Sequence, residues 1–247
     1  MKIAIIGYGR MGKTIERLAL AHGDVITCRI DQDNQEEFDS EAFRTSDAAI
    51  EFTTPSTARQ NVLRCIEVGV PVVCGSTGWT AALTEVQNIC REKGGSLLWA
   101  SNFSIGVNIF MAINRRLASI MNFFPEYSPR MVETHHIHKL DHPSGTAVTL
   151  AQEIVADTDR IKCWAEPDGN HKLPADTLPI EHIRQGEVPG IHTITWDSPA
   201  DDITITHSAK NRDGFAMGAV LAAHWLAGNP GVHTIREMLS DITPDFN

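Results

Sequence analysis

Cysteine is sparse in this sequence, and its placement excludes two classes of protein scaffold. The chain has five cysteines, an odd number, and no two of them form a C-x-x-C pair. A disulfide framework needs paired cysteines, and structural zinc sites usually present closely spaced Cys or His pairs. We therefore expect neither of them, and we expect the chain to work in a reducing cytoplasm.

Long apolar segments and an excess of basic residues are also missing. The apolar run after Met1 ends at Gly7, which is too short for a signal-peptide core, and no later run is long enough to span a bilayer. Acidic residues outnumber basic ones by 31 to 21. Because a negative field repels polyphosphate chains, we expect no nucleic-acid partner, and we expect no membrane partner.

The first hundred residues instead alternate between short apolar runs and helical patterns. The runs predict buried strands at 2–6, 25–30, 48–52, 70–74 and 97–100. Helical patterns lie between them at 11–21, 57–68 and 80–93. This alternation predicts an α/β fold with a Rossmann-like parallel sheet that is covered by helices on both faces.

After Asn102 the pattern changes. It predicts a helix at 107–121, strands at 131–137, 190–196 and 202–207, and a closing helix at 215–226. Glycine and proline punctuate the segments between them. We expect a second, α+β domain with a mainly antiparallel sheet, and the closing helix is a candidate to return to the first domain.

The first predicted strand runs into a G-x-G-x-x-G sequence formed by Gly7, Tyr8, Gly9, Arg10, Met11 and Gly12. The first glycine permits a tight turn, the second lets the backbone approach a pyrophosphate, and the third lets the helix pack on the strand. The following helix N-terminus offers free N–H groups to phosphate. A glycine-rich turn without a ligand is the alternative, but the strand-turn-helix context favours a dinucleotide.

Asp31 ends the second predicted strand, roughly 20 residues past the last glycine, which is the spacing typical of an acidic residue that binds the adenosine ribose. An unliganded surface aspartate is the alternative. The next residue is Gln32 and not Arg, which removes one partner for a 2′-phosphate, although Arg10 could reach that region. We expect NADH to be preferred and NADPH to be accepted.

A second glycine-containing turn, Gly75, Ser76 and Thr77, follows the predicted strand at 70–74. This turn lies at the carboxyl edge of the sheet, where open α/β sheets bind their ligands. An ordinary turn that caps the next helix is the alternative. Its position favours contact with the cofactor.

The densest group of reactive side chains lies between His135 and Thr146. If a strand continues through this segment, His136 and His138 share one face and His135 lies on the other. A metal site is one interpretation, but no cysteine and no clear carboxylate spacing supports it, so we expect none. Histidines that serve only as structural hydrogen-bonding groups are a second interpretation.

A catalytic interpretation uses these residue types best. A histidine that titrates near neutrality and a lysine can transfer protons, while a Ser-Gly-Thr run can hold a carboxylate. The segment Glu133 to Lys139, followed by Asp141 and Pro143 to Thr146, closely resembles the signature of the dihydrodipicolinate (4-hydroxy-tetrahydrodipicolinate) reductase family.

Further motifs of that family occur in order along essentially the whole chain. They are the glycine turn at 7–12, Phe52-Thr53-x-Pro55, Gly75-Ser76-Thr77-Gly78, Asn102-Phe103-Ser104-x-Gly106-Val107-Asn108, Arg184-x-Gly186, Gly190-x-His192, Ile205-Thr206-His207 and Arg212. The resemblance implies a dinucleotide-binding domain at 1–104 that takes back 213–247, and a substrate-binding and tetramerisation domain at 105–212. It also implies a cytoplasmic homotetramer that uses NAD(P)H to reduce a cyclic imine dicarboxylate in diaminopimelate and lysine biosynthesis.

The resemblance also implies roles for individual residues. His135 would donate or accept a proton, and Lys139 would be the second proton donor. The substrate carboxylates would contact His136, Ser144, Gly145 and Thr146. The cofactor would contact residues 7–12, Asp31, Gly75, Ser76, Thr77, Ala100, Ser101, Asn102 and Phe103.

Two features depart from the family pattern. Many members have Glu-Arg where this chain has Asp31-Gln32, which argues against a preference for NADPH. The stretch at 32–47 is short, so a loop or strand of longer members is expected to be missing. Two rivals remain: another small-acid dehydrogenase, which would not explain the histidine segment, and a non-catalytic NAD-sensing protein, which would need no proton donors.

Overall fold

The computed structural model describes residues 1–243, which form two compact units. The first unit contains Met1–Ile105 and the described part of Arg212–Asn247, and the second contains Gly106–Asn211. The end of the predicted returning segment, residues 244–247, lies outside the described residues. Within residues 1–243, none of the helices combines the length and the apolarity that crossing a membrane requires.

A six-stranded parallel sheet forms the centre of the first unit, in the order β11-β5-β4-β3-β1-β2. Its strands are β1 (Lys2–Ile6), β2 (Val25–Ile30), β3 (Ala48–Glu51), β4 (Val72–Cys74), β5 (Leu97–Trp99) and β11 (Val232–Thr234). Its helices are α1 (Arg10–Ala21), α2 (Glu41–Arg44), α3 (Pro55–Val68), α4 (Leu83–Glu92), α7 (Asp213–Gly228) and α8 (Ile235–Ile242).

The side chains of β1 alternate between two apolar cores. Ile3 and Ile5 pack with residues of α1, α7 and α8 on one face, whereas Ala4 and Ile6 pack with residues of α2, α3 and α4 on the other. All four are almost fully buried. Because successive strand residues point to opposite faces, an apolar strand of this kind must be covered on both sides. The predicted α/β architecture is confirmed.

Three short elements of the first unit were not predicted: α2, β11 and α8. The strand β11 pairs with β5 and has only three residues. A run of three residues is too short to show the alternation of apolar and polar side chains. Helix α8 starts at a capping box between Thr234 and Glu237, a signal that the pattern analysis missed.

The second unit is built on a five-stranded sheet in the order β10-β9-β6-β8-β7. Its strands are β6 (Ser128–His135), β7 (Cys163–Ala165), β8 (Thr177–Arg184), β9 (Ile191–Asp197) and β10 (Asp202–Ser208). Its helices are α5 (Ile105–Met121), which begins at the last residue of the first unit, and α6 (Gly145–Asp157).

This sheet is mixed rather than mainly antiparallel. Strand β6 pairs antiparallel with β9 but parallel with β8, and β7 also runs parallel to β8. The difference arises from α6, which was not predicted. A helical crossover between β6 and β8 returns the chain in the same direction, which permits a parallel pair. The α+β character of the unit is confirmed.

Candidate active site

The turn between β1 and α1 requires glycine for steric reasons. Gly7 has a φ of 93°, and a Cβ added there would lie 2.2 Å from the carbonyl oxygen of Phe52. A Cβ at Gly12 would lie 2.2 Å from the carbonyl oxygen of Gly7, so helix and turn are in close contact. At Gly9, by contrast, a Cβ would meet nothing within 4 Å. The space beside Gly9 is therefore open to a ligand.

Helix α1 presents an uncompensated N-terminus at this turn. Its N-cap is Gly9, no side chain caps it, and its first turn contains no acidic residue. Free N–H groups and the positive end of the helix dipole favour an anion here. The turn at 7–12 therefore fits the pyrophosphate of a dinucleotide.

Asp31 follows β2 at the same edge of the sheet. Its two carboxylate oxygens accept the backbone N–H groups of Tyr8 and Gln32, each at 2.9 Å. A carboxylate oxygen can accept more than one hydrogen bond, so Asp31 retains the capacity to bind ribose hydroxyls. A cavity of about 220 Å³ opens beside it, lined by Gly7, Gly9, Asp31, Gln32, Gln35, Phe52, Thr53, Thr54, Thr57 and Asn61.

None of the described residues that line this cavity is a lysine or an arginine. Arg29, on β2, is already paired: its Nε donates to Glu16 at 3.0 Å, and the pair holds the pKa of Glu16 below its usual value. Arg29 also lies over the ring of Tyr8, 5.7 Å from its centroid. Asp31 is therefore the only charged side chain among the described residues that line this cavity.

The predicted cofactor residues after β4 mainly shape the loop. Ser76 is buried, its Oγ accepts the backbone N–H of Thr53 at 2.8 Å, and its carbonyl accepts the indole N–H groups of Trp79 and Trp99. A Cβ at Gly75 would collide with the ring of Phe52. Thr77 is exposed, so its side chain is the one of the three that can reach a ligand.

The segment after β5 also contains both buried residues and residues that are open to solvent. Ala100 and Phe103 are buried in the apolar core, whereas Ser101 is exposed and Asn102 is half-buried. The side-chain oxygen of Asn102 accepts the backbone N–H of Ser104 at 2.9 Å. Ala100 and Phe103 could therefore contact a cofactor through their backbone atoms but not through their side chains.

A buried carboxylate that sequence reasoning missed supports these loops. Glu51, at the end of β3, is fully buried and accepts hydrogen bonds from the backbone and hydroxyl of Thr53. The Sγ of Cys74 lies 3.0 Å from its other oxygen, and burial together with Glu51 raises the pKa of that thiol. A single acidic residue in an otherwise apolar strand was the available signal.

In the second unit, the last residues of β6 bring two titratable side chains into the interior. Alternate residues of β6 are buried, which places Glu133 and His135 on one face. Glu133 is fully buried, and its two oxygens accept from Arg184 and from the backbone N–H of Ser144, both at 3.1 Å. The Nδ1 of His135 lies 3.2 Å from a carboxylate oxygen of Glu133. This distance is within range of an ion pair, but the geometry does not meet the criteria for a hydrogen bond.

These contacts keep Glu133 ionised. Burial alone would raise its pKa, but the groups on His135, Ser144 and Arg184 outweigh burial and lower the pKa to about 2. A carboxylate held in this way can fix the orientation of the imidazole beside it. Glu133 and Arg184 were recognised only as parts of family motifs, and the structure shows them at the centre of the site.

A second histidine, His192 on β9, completes this group. Its Nε2 lies 3.0 Å from the Oγ of Ser144, and its ring meets that of His135 edge-on with centroids 5.2 Å apart. Burial, with a smaller contribution from His135, lowers the pKa of His192 to about 4. His192 is therefore neutral at pH 7 and acts as a hydrogen-bonding partner of Ser144.

The other ring nitrogen of His135 faces Gly190. A Cβ added at Gly190 would lie 3.0 Å from Nε2 of His135, so a larger residue would cover that nitrogen. Glu133 therefore lies beside one nitrogen of the ring, and the missing side chain leaves the other uncovered. This arrangement suits a group that exchanges a proton.

The predicted end of the strand that contains His135 is wrong. Strand β6 ends at His135, and the chain turns, with the N–H of Lys139 donating to the carbonyl of His136 at 3.1 Å. His136 and His138 consequently do not share a strand face; their ring centroids are 6.0 Å apart at an angle. His138 is exposed and contacts Glu187 at 3.0 Å.

Lys139 lies on this turn with its ammonium 2.8 Å from Asp141, and it holds the pKa of that carboxyl below its usual value. Arg184 donates to the carbonyl oxygens of Lys139 and Asp141, at 3.2 and 2.8 Å. Because Arg184 also contacts Glu133, one guanidinium connects the backbone at Lys139 to the buried carboxylate beside His135.

Ser144, Gly145 and Thr146 form the start of α6. The Oγ of Ser144 caps the helix by accepting the N–H of Ala147 at 3.1 Å, and the first turn has no acidic residue. Ser144 itself is buried, and its N–H and Oγ already contact Glu133 and His192. Gly145 is exposed and Thr146 half-buried, so an anionic ligand can approach the helix N-terminus at these two residues.

Two family models match this chain. The dihydrodipicolinate reductase N-terminal model matches residues 1–103, and the C-terminal model of the same family matches residues 106–239. A curated 4-hydroxy-tetrahydrodipicolinate reductase from Christiangramia forsetii is 42% identical over 98% of this chain and 99% of that protein. The enzyme of the same name from Lawsonia intracellularis is 33% identical over 92% of this chain and 93% of its own length.

A solved structure shares the fold. Dihydrodipicolinate reductase from Paenisporosarcina sp. TG-14, determined with dipicolinate bound, has a TM-score of 0.73 at 21% identity and covers 95% of this chain and 97% of its own. Both halves of the chain and nearly its whole length are matched. The chain therefore belongs to the dihydrodipicolinate reductase family of NAD(P)H-dependent oxidoreductases.

Proposed function

We propose that His135 and Lys139 supply the protons, and the start of α6 the carboxylate site, in the reaction of this family. That reaction, which this chain catalyses, is the NAD(P)H-dependent reduction of (4S)-4-hydroxy-2,3,4,5-tetrahydrodipicolinate to 2,3,4,5-tetrahydrodipicolinate with loss of water, in diaminopimelate and lysine biosynthesis. The observation that carries the proposal is the buried Glu133, which contacts both His135 and the backbone of Ser144.

The substrate carboxylates are bound by backbone and side-chain donors of the second unit. Gly145 and Thr146 offer the backbone N–H groups at the start of α6, where the Oγ of Ser144 accepts that of Ala147, and Thr146 adds a hydroxyl. The Nδ1 of His136 is buried and has no hydrogen-bond partner among the described residues. Because an unpaired buried polar atom is costly, a carboxylate at His136 would satisfy it. Ser144 supports these groups by fixing the start of the helix.

The two proton donors differ in their setting. The bound NAD(P)H supplies a hydride. His135 protonates the enamine carbon that hydride addition leaves, and Glu133 holds its ring in place. Lys139 carries a positive charge near the ring nitrogen and is the second proton donor, and its contact with Asp141 keeps it oriented.

For the cofactor, we infer that NADH is preferred and that NADPH is accepted. Asp31 is oriented by two backbone N–H groups, and its cavity contains Gln32 and Gln35 where a 2′-phosphate would need cations. Like charge between Asp31 and such a phosphate disfavours NADPH. Backbone and side chains of residues 7–12, 75–77 and 100–103 would line the remainder of the cofactor.

We also infer a homotetramer in which the second unit, which also binds substrate, makes the subunit contacts. The second unit exposes large apolar side chains at Phe123, Ile183 and Ile203, which are 78%, 44% and 40% exposed. Exposed apolar side chains of this size favour protein contacts when they cluster. Light scattering coupled to size-exclusion chromatography tests the mass, and a monomer would contradict the inference.

A coupled assay tests the proposed function directly. The substrate is generated freshly from its aldol precursors and mixed with the purified chain and either NADH or NADPH. Rapid oxidation of cofactor that depends on the cyclic substrate is expected. Turnover with simple keto or amino acids instead would favour another small-acid dehydrogenase, and cofactor binding without turnover would favour a sensing protein.

A further inference from the structure

Three side chains of the second unit converge outside the group around Glu133. Glu166 follows β7, His182 lies in β8, and His142 lies in the segment before α6. The Nδ1 of His142 is 2.9 and 3.0 Å from the two oxygens of Glu166, and the Nδ1 of His182 is 2.6 Å from one of them. Ligand atoms of all three lie within 4.8 Å of one another.

The two imidazoles are held in one orientation. Their rings stack with centroids 4.1 Å apart and planes 20° apart, so both Nδ1 atoms point to the same carboxylate. The side chains of His142, His182 and Glu166 are 48%, 36% and 28% exposed. An ion can therefore reach the group from solvent, and water can complete its coordination.

Two other carboxylate and histidine groups of the chain are already occupied by cations. Asp24 contacts His22 and His224 but binds the N-terminal amine at 2.8 Å. Glu133 contacts Arg184 and a backbone N–H. Among residues 1–243, by contrast, Glu166 has no ion pair with a lysine or an arginine. The charge of Glu166 therefore faces imidazoles alone.

We propose that His142, Glu166 and His182 bind a divalent transition-metal ion of the Zn(II) class. Two imidazole nitrogens and one carboxylate are a donor set that zinc accepts, with water in the remaining position, and imidazole selects against Mg²⁺ and Ca²⁺. The metal takes the place of the hydrogen bonds between the two Nδ1 atoms and Glu166, and each neutral imidazole then carries its proton on Nε2. None of these three ligands is a residue proposed above for proton transfer or substrate binding.

Occupation of this site has a structural consequence. His142 is joined through Pro143 to Ser144, the N-cap of α6. Glu166 directly follows β7, and His182 lies in β8. A metal held by all three ligands would therefore connect the segment before α6 to both strands. Because the ion binds the folded chain and the ligands separate on unfolding, Zn(II) also raises the melting temperature.

Titration of the whole chain tests the proposal. The protein is freed of metal with a chelator, and Zn(II) is added in a calorimeter, with Mg(II) as a comparison. We expect one Zn(II) per chain and no Mg(II) binding at the same concentrations. His182→Gln and Glu166→Gln should each weaken Zn(II) binding by at least about tenfold. Circular dichroism checks that each variant keeps its fold.

A neighbouring pair provides the matched control. His171 contacts Asp168 at 2.9 Å in the exposed segment after Glu166, with one imidazole and one carboxylate only. His171→Asn should leave Zn(II) binding unchanged. As a second readout, Co(II) should give the visible bands of a low-coordinate site in the wild type and lose them in His182→Gln.

Three results would overturn the site: no Zn(II) binding by the wild type, equal binding by His182→Gln and Glu166→Gln, or a loss confined to His171→Asn. The titration uses neither substrate nor cofactor. Its failure would therefore leave the reductase assignment intact, and loss of reductase activity would not affect the metal site.

Discussion

The two units present their ligand-binding groups in opposite ways. In the first unit, the predicted cofactor site is mostly backbone: glycines 7, 9 and 12, the N-terminus of α1, and loops whose buried side chains point away from the cavity. In the second unit, the site is a group of largely buried side chains from β6, β8 and β9, centred on the ionised Glu133 and its contact with Arg184. The first unit therefore offers its predicted ligand mainly backbone groups, and the second offers side chains held by a buried carboxylate.

The comparison explains why the two sites should respond differently to mutation. Backbone donors survive most side-chain replacements, so only a glycine change or a change at Asp31 alters the first site strongly. In the second, Glu133 contacts three other groups, and removing one partner leaves a buried charge uncompensated. Single substitutions there should affect the chemistry without affecting cofactor binding.

The largest expected effect is that of His135→Ala. Loss of the proton donor should lower kcat by about two to four orders of magnitude, the usual range for a positioned acid-base group. The Kd for NADH should not change, because the cofactor residues belong to the other unit. Steady-state kinetics and a fluorescence titration with NADH give the two values.

His138→Ala is the matched control, since His138 is exposed and Glu187 is its hydrogen-bond partner among the described side chains. It should remain within about threefold of wild type, well below the range for an acid-base group. If His135→Ala were equally active, His135 would have no part in proton transfer.

Lys139→Ala should lower activity by a similar but somewhat smaller factor, about two to three orders of magnitude, because the substrate loses a charge-assisted contact and a proton donor. Lys139→Arg should restore activity only in part, since a guanidinium does not give up a proton at working pH. The measurement is kcat and KM for each variant, with the exposed Lys162→Ala as control. Full activity of the Arg variant would show that charge alone suffices.

Acid should destabilise the second unit through His192. Its folded pKa of about 4 lies below the usual 6.5, so unfolded chains bind the proton more readily. The stability contribution is complete above about pH 6.5 and falls as the pH drops toward 4, by roughly 3 kcal/mol in the free energy of unfolding. Glu133, with a pKa of about 2, extends the loss to lower pH in the same direction.

Urea unfolding at several pH values measures this loss. His192→Asn should flatten the dependence between about pH 6.5 and 4, whereas the exposed His171→Asn should not. An unchanged slope in His192→Asn would assign the acid sensitivity to other groups, such as Asp24 in the first unit, whose pKa is also below its usual value.

Cofactor choice should show a smaller effect. We expect NADH to exceed NADPH by about tenfold in kcat/KM, or about 1.4 kcal/mol. Asp31→Ser with Gln32→Arg should shift the preference toward NADPH, because it removes like charge and adds a phosphate partner. Both ratios are measured at fixed ionic strength, since a phosphate contact is screened by salt. A strong wild-type preference for NADPH would mean that Arg10 or another cation dominates.

Chelation should have the smallest effect of all. Exhaustive treatment with EDTA should leave kcat unchanged, because His135 and Lys139 act as proton donors and not as metal ligands. Recovery of lost activity with zinc would require His136 or His138 to be reassigned as ligands.

Local patterns predicted much of the first unit. The apolar strand, the glycine turn and the following helix are adjacent in sequence, and their spacing constrains the backbone directly. The pattern failed at short or interrupted elements: β11 has three residues, and α6 begins inside the histidine segment, where a strand was predicted and no helix. No strand was predicted at 177–184 either, so the parallel pair of β6 and β8 was not expected.

The sequence by itself determined the residue types of the site and the order of the family motifs, because these are fixed along the chain. It predicted His135 on a strand, which β6 confirms, and a contact of Asp31 with the cofactor ribose, which stays a prediction. Only the tertiary structure decided that Glu133, Arg184 and His192 meet around His135, since strand pairing brings together residues about fifty positions apart. Long-range strand pairing and burial determine the ionisation and the orientation of these side chains, and no local stretch of sequence predicts either.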